Sequence, residues 1–416
     1  MDFHKTTPKN IRYNLQNLNH LVFEVTDRCN LNCKYCGYSD FYRGYDTREG
    51  KNLSFKRAKL IIDYLSDLWK DDISDGRNNE LVISFYGGEP LMNFPFIKQV
   101  IDYAEMLGNV GRCCSYGITT NAVLMDQYMD FLVEKNFRLL ISLDGNKFAQ
   151  SYRVDHSGKS SFDRVFRNIN LLRVKYPDYF KKSVSFNSVL HNRNEVESIY
   201  QFICTHFDKV PRISPLYDVG ICEKKKEEFI KMYRNHAESF HKSSNCEAIE
   251  SEMLMRAPRT ARLANYILYQ SGNSFLNYNE LFISQEDLPF STGTCSPFSK
   301  KMFVTVNGKI LPCERISQQF SLGQVHEDRI ELNEEYVANK HNFYVSKYAK
   351  QCANCASNQF CMQCVYHIDD ICKDETHCPN YLSGKDLENR NEKVFEFLQE
   401  KPEYYRRILE EVKIEN

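Results

Sequence analysis

No apolar run in this 416-residue chain approaches the roughly 18 residues that a membrane-crossing helix needs. The N-terminus, Met1-Asp-Phe-His-Lys-Thr-Thr-Pro-Lys-Asn10, has none of the apolar core of a signal peptide. Net charge is nearly missing as well: 54 Lys and Arg stand against 55 Asp and Glu, leaving −1 with the signs interspersed. That balance supplies no field for nucleic acid or an anionic membrane, so neither is expected as a partner. Internal repeats and low-complexity segments are absent too. The expectation is a soluble, cytoplasmic globular protein of two or three domains.

Cysteine, by contrast, is plentiful, with 16 residues. Without an export signal they are not expected to form a disulfide framework, because cytosolic thiols are kept reduced, and metal ligation is the better account. Their distribution agrees. Three fall in one short stretch, eight lie between Cys295 and Cys378, and five (Cys113, Cys114, Cys204, Cys222, Cys246) are scattered and read as ordinary small residues.

The short stretch is Cys29-x3-Cys33-x2-Cys36, directly after an apolar strand at Leu21–Val25. Three thiolates can hold three irons of a four-iron, four-sulfide cluster whose usual complement is four, which leaves one iron open. A structural zinc loop is the alternative. It needs a fourth ligand, for which His20 and Asp40 are the nearest candidates.

Between residue 21 and about 219, β-rich runs alternate with amphipathic stretches. Strands are expected at Leu21–Val25, Leu81–Phe85, Ser115–Thr119, Arg138–Leu143, Ser183–Val189 and Arg212–Tyr217, with helices near Ser54–Trp69, Phe94–Leu107, Met125–Lys135, Ser161–Lys175 and Glu195–Phe207. This alternation reads as an α/β protein with a parallel sheet, either a six-stranded partial (β/α) barrel or an open doubly wound sheet. The cysteine loop follows the first strand, Gly87-Gly88-Glu89-Pro90 the second, Thr120-Asn121 the third and Asp144-Gly145 the fourth. All converge on the C-terminal rim, where barrels carry their chemistry. Residues 223–290 read as a helical bridge, with a charged helix opening at Glu223 and another at Glu250–Tyr269. A polar helix is expected at Leu382–Gln399.

The triplet, with aromatic Tyr35 before its last cysteine, resembles the signature of the radical S-adenosylmethionine (radical SAM) enzymes, and the Gly-Gly-Glu run after the second strand strengthens the resemblance. It implies that the open iron chelates SAM, passes an electron to its sulfonium and releases a 5′-deoxyadenosyl radical. By the same resemblance Tyr35, Gly87, Gly88, Glu89, Asn121, Ser142, Arg153 and Leu190 are candidate SAM contacts. The glycines would let the ligand approach the backbone, Glu89 would accept from its ammonium, Arg153 would pair with its carboxylate, and Leu190 would pack on the adenine.

Cys295, Cys313, Cys352-x2-Cys355-x5-Cys361-x2-Cys364, Cys372 and Cys378 resemble the SPASM extension of peptide-modifying radical SAM enzymes, which carries two auxiliary clusters. The usual pattern has three residues between the third and fourth cysteines of the run, here only Met362 and Gln363, and Cys372 is an addition. The resemblance implies a distal cluster on Cys352, Cys355, Cys361 and Cys378, and a proximal one on Cys295, Cys313 and Cys364, completed by Cys372 or left open. Zinc ribbons are the alternative. Glu314 stands where sulfatase-maturing relatives have an aspartate proposed as a base, and Tyr86 where they have glutamine.

The expected organisation is therefore a radical SAM partial barrel at 1–222, a bridge at 223–290, a SPASM domain at 291–381 and a helical tail at 382–416. Its cofactors would be SAM and three [4Fe–4S] clusters. Its partners would be a peptide or protein substrate and a low-potential electron donor such as flavodoxin or ferredoxin. The reaction expected is side-chain modification of a ribosomally made precursor, with formylglycine formation in a sulfatase and a zinc scaffold as the alternatives. About 20 residues precede the first strand, so precursor recognition is expected on a partner protein, in the bridge, or nowhere.

Overall fold

The computed structural model describes residues 5–70, 80–108, 112–253, 257, 260, 261, 263, 292–358 and 361–411. The chain forms two compact units. One joins Thr7–Asn235 to Cys295–Asn339, and the other gathers Met1–Thr6, His236–Thr294 and Lys340–Asn416.

The first unit is built on a sheet whose strands β1 (His20–Thr26), β2 (Glu80–Gly87), β3 (Cys113–Thr120), β4 (Arg138–Ser142), β5 (Val184–Leu190) and β6 (Arg212–Pro215) are parallel and lie in sequential order. A doubly wound sheet would reverse its order at a switch point. Sequential order is that of a partial (β/α)6 barrel, so the first of the two readings holds. β1 is buried along nearly its whole length, as expected for a strand covered on both faces. Its register against β2 shifts between Glu24 and Thr26, just before the cysteine loop.

Helices return the chain between strands. Helix α2 (Phe55–Lys70) buries Ala58, Ile61, Ile62 and Leu65, spaced so that one stripe faces inward, and α3 (Phe94–Met106) does the same with Phe96, Ile97, Val100, Ile101 and Ala104. Each of the larger ones, Ile, Leu, Val or Phe, contributes roughly 1.5–3 kcal/mol on burial. At the far end Phe186 of β5 stacks on Phe207, their centroids 4.8 Å apart. That ring closes the helix Val196–Phe207, which stops at Asp208 in the left-handed conformation, φ 55°.

All six expected strands and five expected helices form within about two residues of their sequence-derived limits. Several elements had no such warning. Helix α1 (Pro8–Gln16) starts from a reciprocal Thr7–Asn10 cap. A short helix, Pro177–Ser183, precedes β5. Strand β7 (Met302–Val304) pairs in parallel with the free side of β1, and β8 (Lys309–Leu311), β9 (Gly323–Val325) and β10 (Ile330–Glu331) continue the sheet antiparallel. Packing thus draws its line elsewhere than at residue 291, because these strands extend the parallel sheet.

The charged run at Glu223 is a single tight turn followed by Lys226–Met232. Of the helix expected at Glu250–Tyr269, the part within Cys246–Met253 forms, and most of the remainder lies outside the described residues. The tail helix spans Gly384–Glu400, and Pro402–Glu411 follows it. No described helix is long and apolar enough to cross a membrane.

Candidate active site

Cys29, Cys33 and Cys36 are half-buried on the loop that leaves β1. The loop is not free-standing. Asn32 N donates to Val154 O at 2.7 Å and Lys34 N to Tyr152 O at 3.1 Å, while Cys36 N closes a turn on Cys33 O at 3.2 Å. Leu31 N points at Cys29 Sγ from 3.4 Å, and Asn121 Nδ2 approaches the same sulfur at 3.8 Å while donating to Asn30 Oδ1 at 2.7 Å. Burial pushes the Cys29 thiol up to about 11 and the Cys33 thiol up to about 12, with Arg153 opposing the rise at Cys33. These thiols therefore keep their protons until a metal displaces them.

Gly87-Gly88-Glu89 does something other than open a path for a ligand. A Cβ on Gly87, whose φ is 131°, would stand 2.4 Å from Thr26 O, and one on Gly88 would stand 2.0 Å from Arg28 O. The close approach is made by the chain's own loop, which accepts Gly88 N and Glu89 N on Thr26 O and Arg28 O, each at 2.9 Å. Glu89 is 1% exposed. Its carboxylate accepts from Leu91 N (3.2 Å), Thr120 Oγ1 (2.7 Å) and Asn121 N (2.8 Å). Burial lifts it to about 7, against those three donors. Glu89 thus holds Asn121, and Asn121 holds the cysteine loop.

Ser142, half-buried, ends β4, and Leu190, fully buried, ends β5. Arg153 is buried, but its guanidinium fork is closed on Asp144: Nε donates to Oδ2 at 3.0 Å and Nη2 to Oδ1 at 3.1 Å. The fork offered to the SAM carboxylate by the sequence reading is thus occupied from within. Tyr35 is buried with its hydroxyl on Asp144 Oδ2. Asp144 and His191, both fully buried, were not singled out as site residues from sequence. An Asp-Gly pair at a strand end reads as a turn, and only the arginine nine positions on hints at a buried pair.

Glu314 is ion-paired with Lys301, Nζ to Oε1 at 3.1 Å, and Cys313 Sγ donates to its Oε2 at 3.7 Å. Burial would raise the Glu314 carboxyl, but Lys301 and further donors win and hold it below the ordinary range. Cys313 Sγ accepts from Arg315 N at 3.3 Å. Tyr45 lies in the field of both Cys36 and Cys313, and Tyr86 in the field of Cys36 and Glu314. Cys295 is exposed, and the turn after it is fixed by Asn14 Nδ2, which donates to Ser296 Oγ and Pro297 O at 2.9 Å each.

In the second unit Cys352, Cys355, Cys361 and Cys378 act on one another electrostatically and therefore lie together. Gln363 N reaches Cys361 Sγ at 3.4 Å, and Leu382 N reaches Cys355 Sγ at 3.5 Å. An amide from the residue two places on thus meets the sulfur at Cys29, Cys313 and Cys361 alike, a turn that suits a thiolate. Cys364 is half-buried beside Tyr366, and Cys372 is exposed, in the field of Tyr348 with Cys378. No three described His, Cys, Asp or Glu side chains close around a single metal ion. A surface concavity of about 410 Å³ is lined by Lys159, Ser160, Asp163, Arg164 and Arg167, none of them a candidate residue.

Residues 23–203 match the Radical SAM superfamily. The cysteine-type anaerobic sulfatase-maturating enzyme of Clostridium novyi (strain NT) is 31% identical over 192 residues, covering 45% of this chain and 48% of that protein. Radical SAM cyclopropyl synthase TigE of Paramaledivibacter caminithermalis is 28% identical over 172 residues, 40% of this chain and 34% of its own length. The match thus spans half or less of those relatives. The solved structure of native anSMEcpe with bound AdoMet superposes with a TM-score of 0.59 at 18% identity, covering 94% of this chain and 99% of that one, a likeness of fold. Sequential parallel strands and a cysteine loop on the first of them thus fall within a segment, residues 23–203, that is similar to the Radical SAM superfamily.

Proposed function

We infer that the protein is a radical SAM enzyme that modifies a side chain of a peptide or protein. One observation supports this reading above others: the loop of Cys29, Cys33 and Cys36 leaves the first of six sequential parallel strands and is bonded to the ends of the next two, through Gly88, Glu89 and Asn121.

The three thiols fit a [4Fe–4S] cluster, the group this superfamily implies together with SAM. They are clustered and half-buried, and an amide and Asn121 are aimed at the Cys29 sulfur. Bound there, cluster and SAM supply one-electron cleavage to a 5′-deoxyadenosyl radical. The chain's residues do the rest. Glu89 and Asn121 brace the loop, and Ser142 and Leu190 stand at the rim strands for contact with SAM. Lys301 keeps Glu314 anionic as a proton acceptor. We further propose two auxiliary clusters, Cys352, Cys355, Cys361 and Cys378 holding one of them, a cytoplasmic setting and a low-potential protein electron donor. A precursor peptide is the proposed substrate.

Formylglycine formation is the second reading. It is favoured by the sulfatase-maturating relatives. Tyr86 before Gly87 and the Lys301-bound Glu314 weigh against it. Offering a cysteine-containing sulfatase peptide and weighing the product separates the two.

The main reading is tested by counting iron and acid-labile sulfide after anaerobic reconstitution, and assaying 5′-deoxyadenosine with SAM and dithionite. About twelve irons are expected, falling to about eight, with loss of deoxyadenosine, when Cys29, Cys33 and Cys36 are all changed to Ala. Zinc in place of iron would overturn the reading in favour of a scaffold.

A further inference from the structure

The ends of β4 and β5 converge on one fully buried carboxylate. Asp144 accepts from Arg153 Nε and Nη2, from Val189 N at 2.9 Å and from the Tyr35 hydroxyl, with His191 Nε2 at 3.6 Å. Its own backbone is pinned too: Asp144 N donates to Gln150 Oε1 at 2.8 Å, and Asn194 Nδ2 donates to Asp144 O at 3.0 Å. The carboxylate cannot swing away from this arrangement without breaking several bonds. Burial would raise its pKa, but Arg153 and the other donors hold it well below the ordinary carboxylate range.

Two of these partners, Tyr35 and Arg153, lead to the cysteine loop. Tyr35 sits between Cys33 and Cys36, its ring edge-on to Tyr152 at 6.2 Å and 5.3 Å from the Arg153 guanidinium. The residues on either side of Arg153 hold the loop by backbone bonds, Tyr152 O to Lys34 N and Val154 O to Asn32 N. Three residues further on, His156 Nε2 meets Cys29 O at 2.8 Å.

A buried ion pair is a poor way to gain stability, since apolar side chains of similar volume often do as well or better. Next to a redox group, however, charge has another effect. A cluster gains negative charge on reduction, so a fixed cation nearby raises its reduction potential and a fixed anion lowers it.

We propose that Asp144 is a positioning residue that sets the reduction potential of the cluster at Cys29, Cys33 and Cys36, by fixing the Arg153 charge beside the cysteine loop and partly offsetting it. Tyr35 ties this pair mechanically to the loop. The inference rests on the function proposed above and extends it to the control of the electron-accepting step.

The test uses the full chain, reconstituted, with Asp144→Asn, Arg153→Gln, Arg153→Lys and Tyr35→Phe. Redox titration is followed by electron paramagnetic resonance, tracking the signal that changes on addition of SAM. Asp144→Asn leaves the cation unopposed and is expected to shift the potential upward. Arg153→Gln leaves the anion unopposed and is expected to shift it downward. Arg153→Lys keeps the charge and stays near the unmodified protein, and Tyr35→Phe moves the potential least. Shifts of one sign in the first two, or none in either, would show mere mechanical support and overturn the proposal. If Asp144→Asn binds no iron, Arg153→Gln and Arg153→Lys decide, and equal potentials overturn it. An unmodified protein without iron at the triplet sinks the function as well, whereas a loaded, SAM-cleaving protein with unmoved potentials sinks this inference alone.

Discussion

Cys29, Cys33 and Cys36 lie on a loop tied on one side to the end of β2 and on the other to residues 152–156, whereas Cys355, Cys361 and Cys378 are carried by turns and Cys352 by a one-turn helix. The only helices described within that second segment are Ala349–Ala353 and Val365–His367, five and three residues long. The first group draws on distant chain: Tyr35 reaches Asp144, and Asn121 reaches Asn30. The second is closed largely within its own stretch of chain, as by Cys355 N on Cys352 O at 3.1 Å and Ala356 N on Leu382 O at 2.9 Å. Loops without a core of their own depend on a bound metal for their shape, while a loop stitched to a sheet keeps its shape without one.

The largest expected effect tests that contrast directly. Stripping iron with a chelator should abolish amide-exchange protection across residues 349–381 while leaving β1 to β4 protected, as read by hydrogen–deuterium exchange with peptide mapping. Equal loss in both regions would erase the distinction. In the sheet unit, the sensitive spot is instead the buried pair. Asp144→Ala leaves Arg153 uncompensated and should cost roughly 3–5 kcal/mol in denaturant unfolding of the iron-free protein. Asp144→Asn with Arg153→Gln should recover part of that.

Each region also has a glycine against which backbone is packed. A Cβ at Gly88 would meet Arg28 O at 2.0 Å, and one at Gly293, whose φ is 66°, would meet Cys361 O at 2.5 Å. Neither neighbour is a side-chain tip that can move aside. Gly88→Ala should cost about 1–3 kcal/mol and lower iron at the triplet alone. Gly293→Ala adds a left-handed penalty of about 1–2 kcal/mol and should lower iron at the four-thiol group alone. Iron counts on each variant, with the other group intact, decide whether the two regions load independently.

What could be read in advance follows from how local each signal is. The strand at Leu81–Phe85 and the helix beginning at Ser54 announce themselves by apolar periodicity, and ligand spacing such as Cys29-x3-Cys33-x2-Cys36 is local by nature. Strand β7 is three residues long, too short for a period, and its partner β1 lies far away in sequence. Glu89 was legible as a site residue but its hold on Asn121 was not, because the donors Thr120 and Asn121 come from another strand's end. Asp144 was hidden for the same reason: Tyr35 and Val189 meet it only in the fold.

The smallest effects sharpen the comparison at single sulfurs. Asn121 Nδ2 approaches Cys29 Sγ at 3.8 Å, and Ser357 Oγ lies 3.3 Å from Cys355 Sγ. Removing one neutral hydrogen-bonding group should cost about 0.5–1.5 kcal/mol where the group left behind can be re-solvated. Asn121→Ala also frees Asn30 Oδ1, so it should loosen the triplet loop as well as the sulfur, whereas Ser357→Ala touches one contact of a thiol already served by Leu382 N at 3.5 Å. The expected order is thus a measurable rise in SAM-induced line width of the cluster signal for Asn121→Ala, and an unchanged signal for Ser357→Ala. A larger change from Ser357→Ala would mean that the turn-built group is the more finely held of the two, the reverse of what their hydrogen bonds imply.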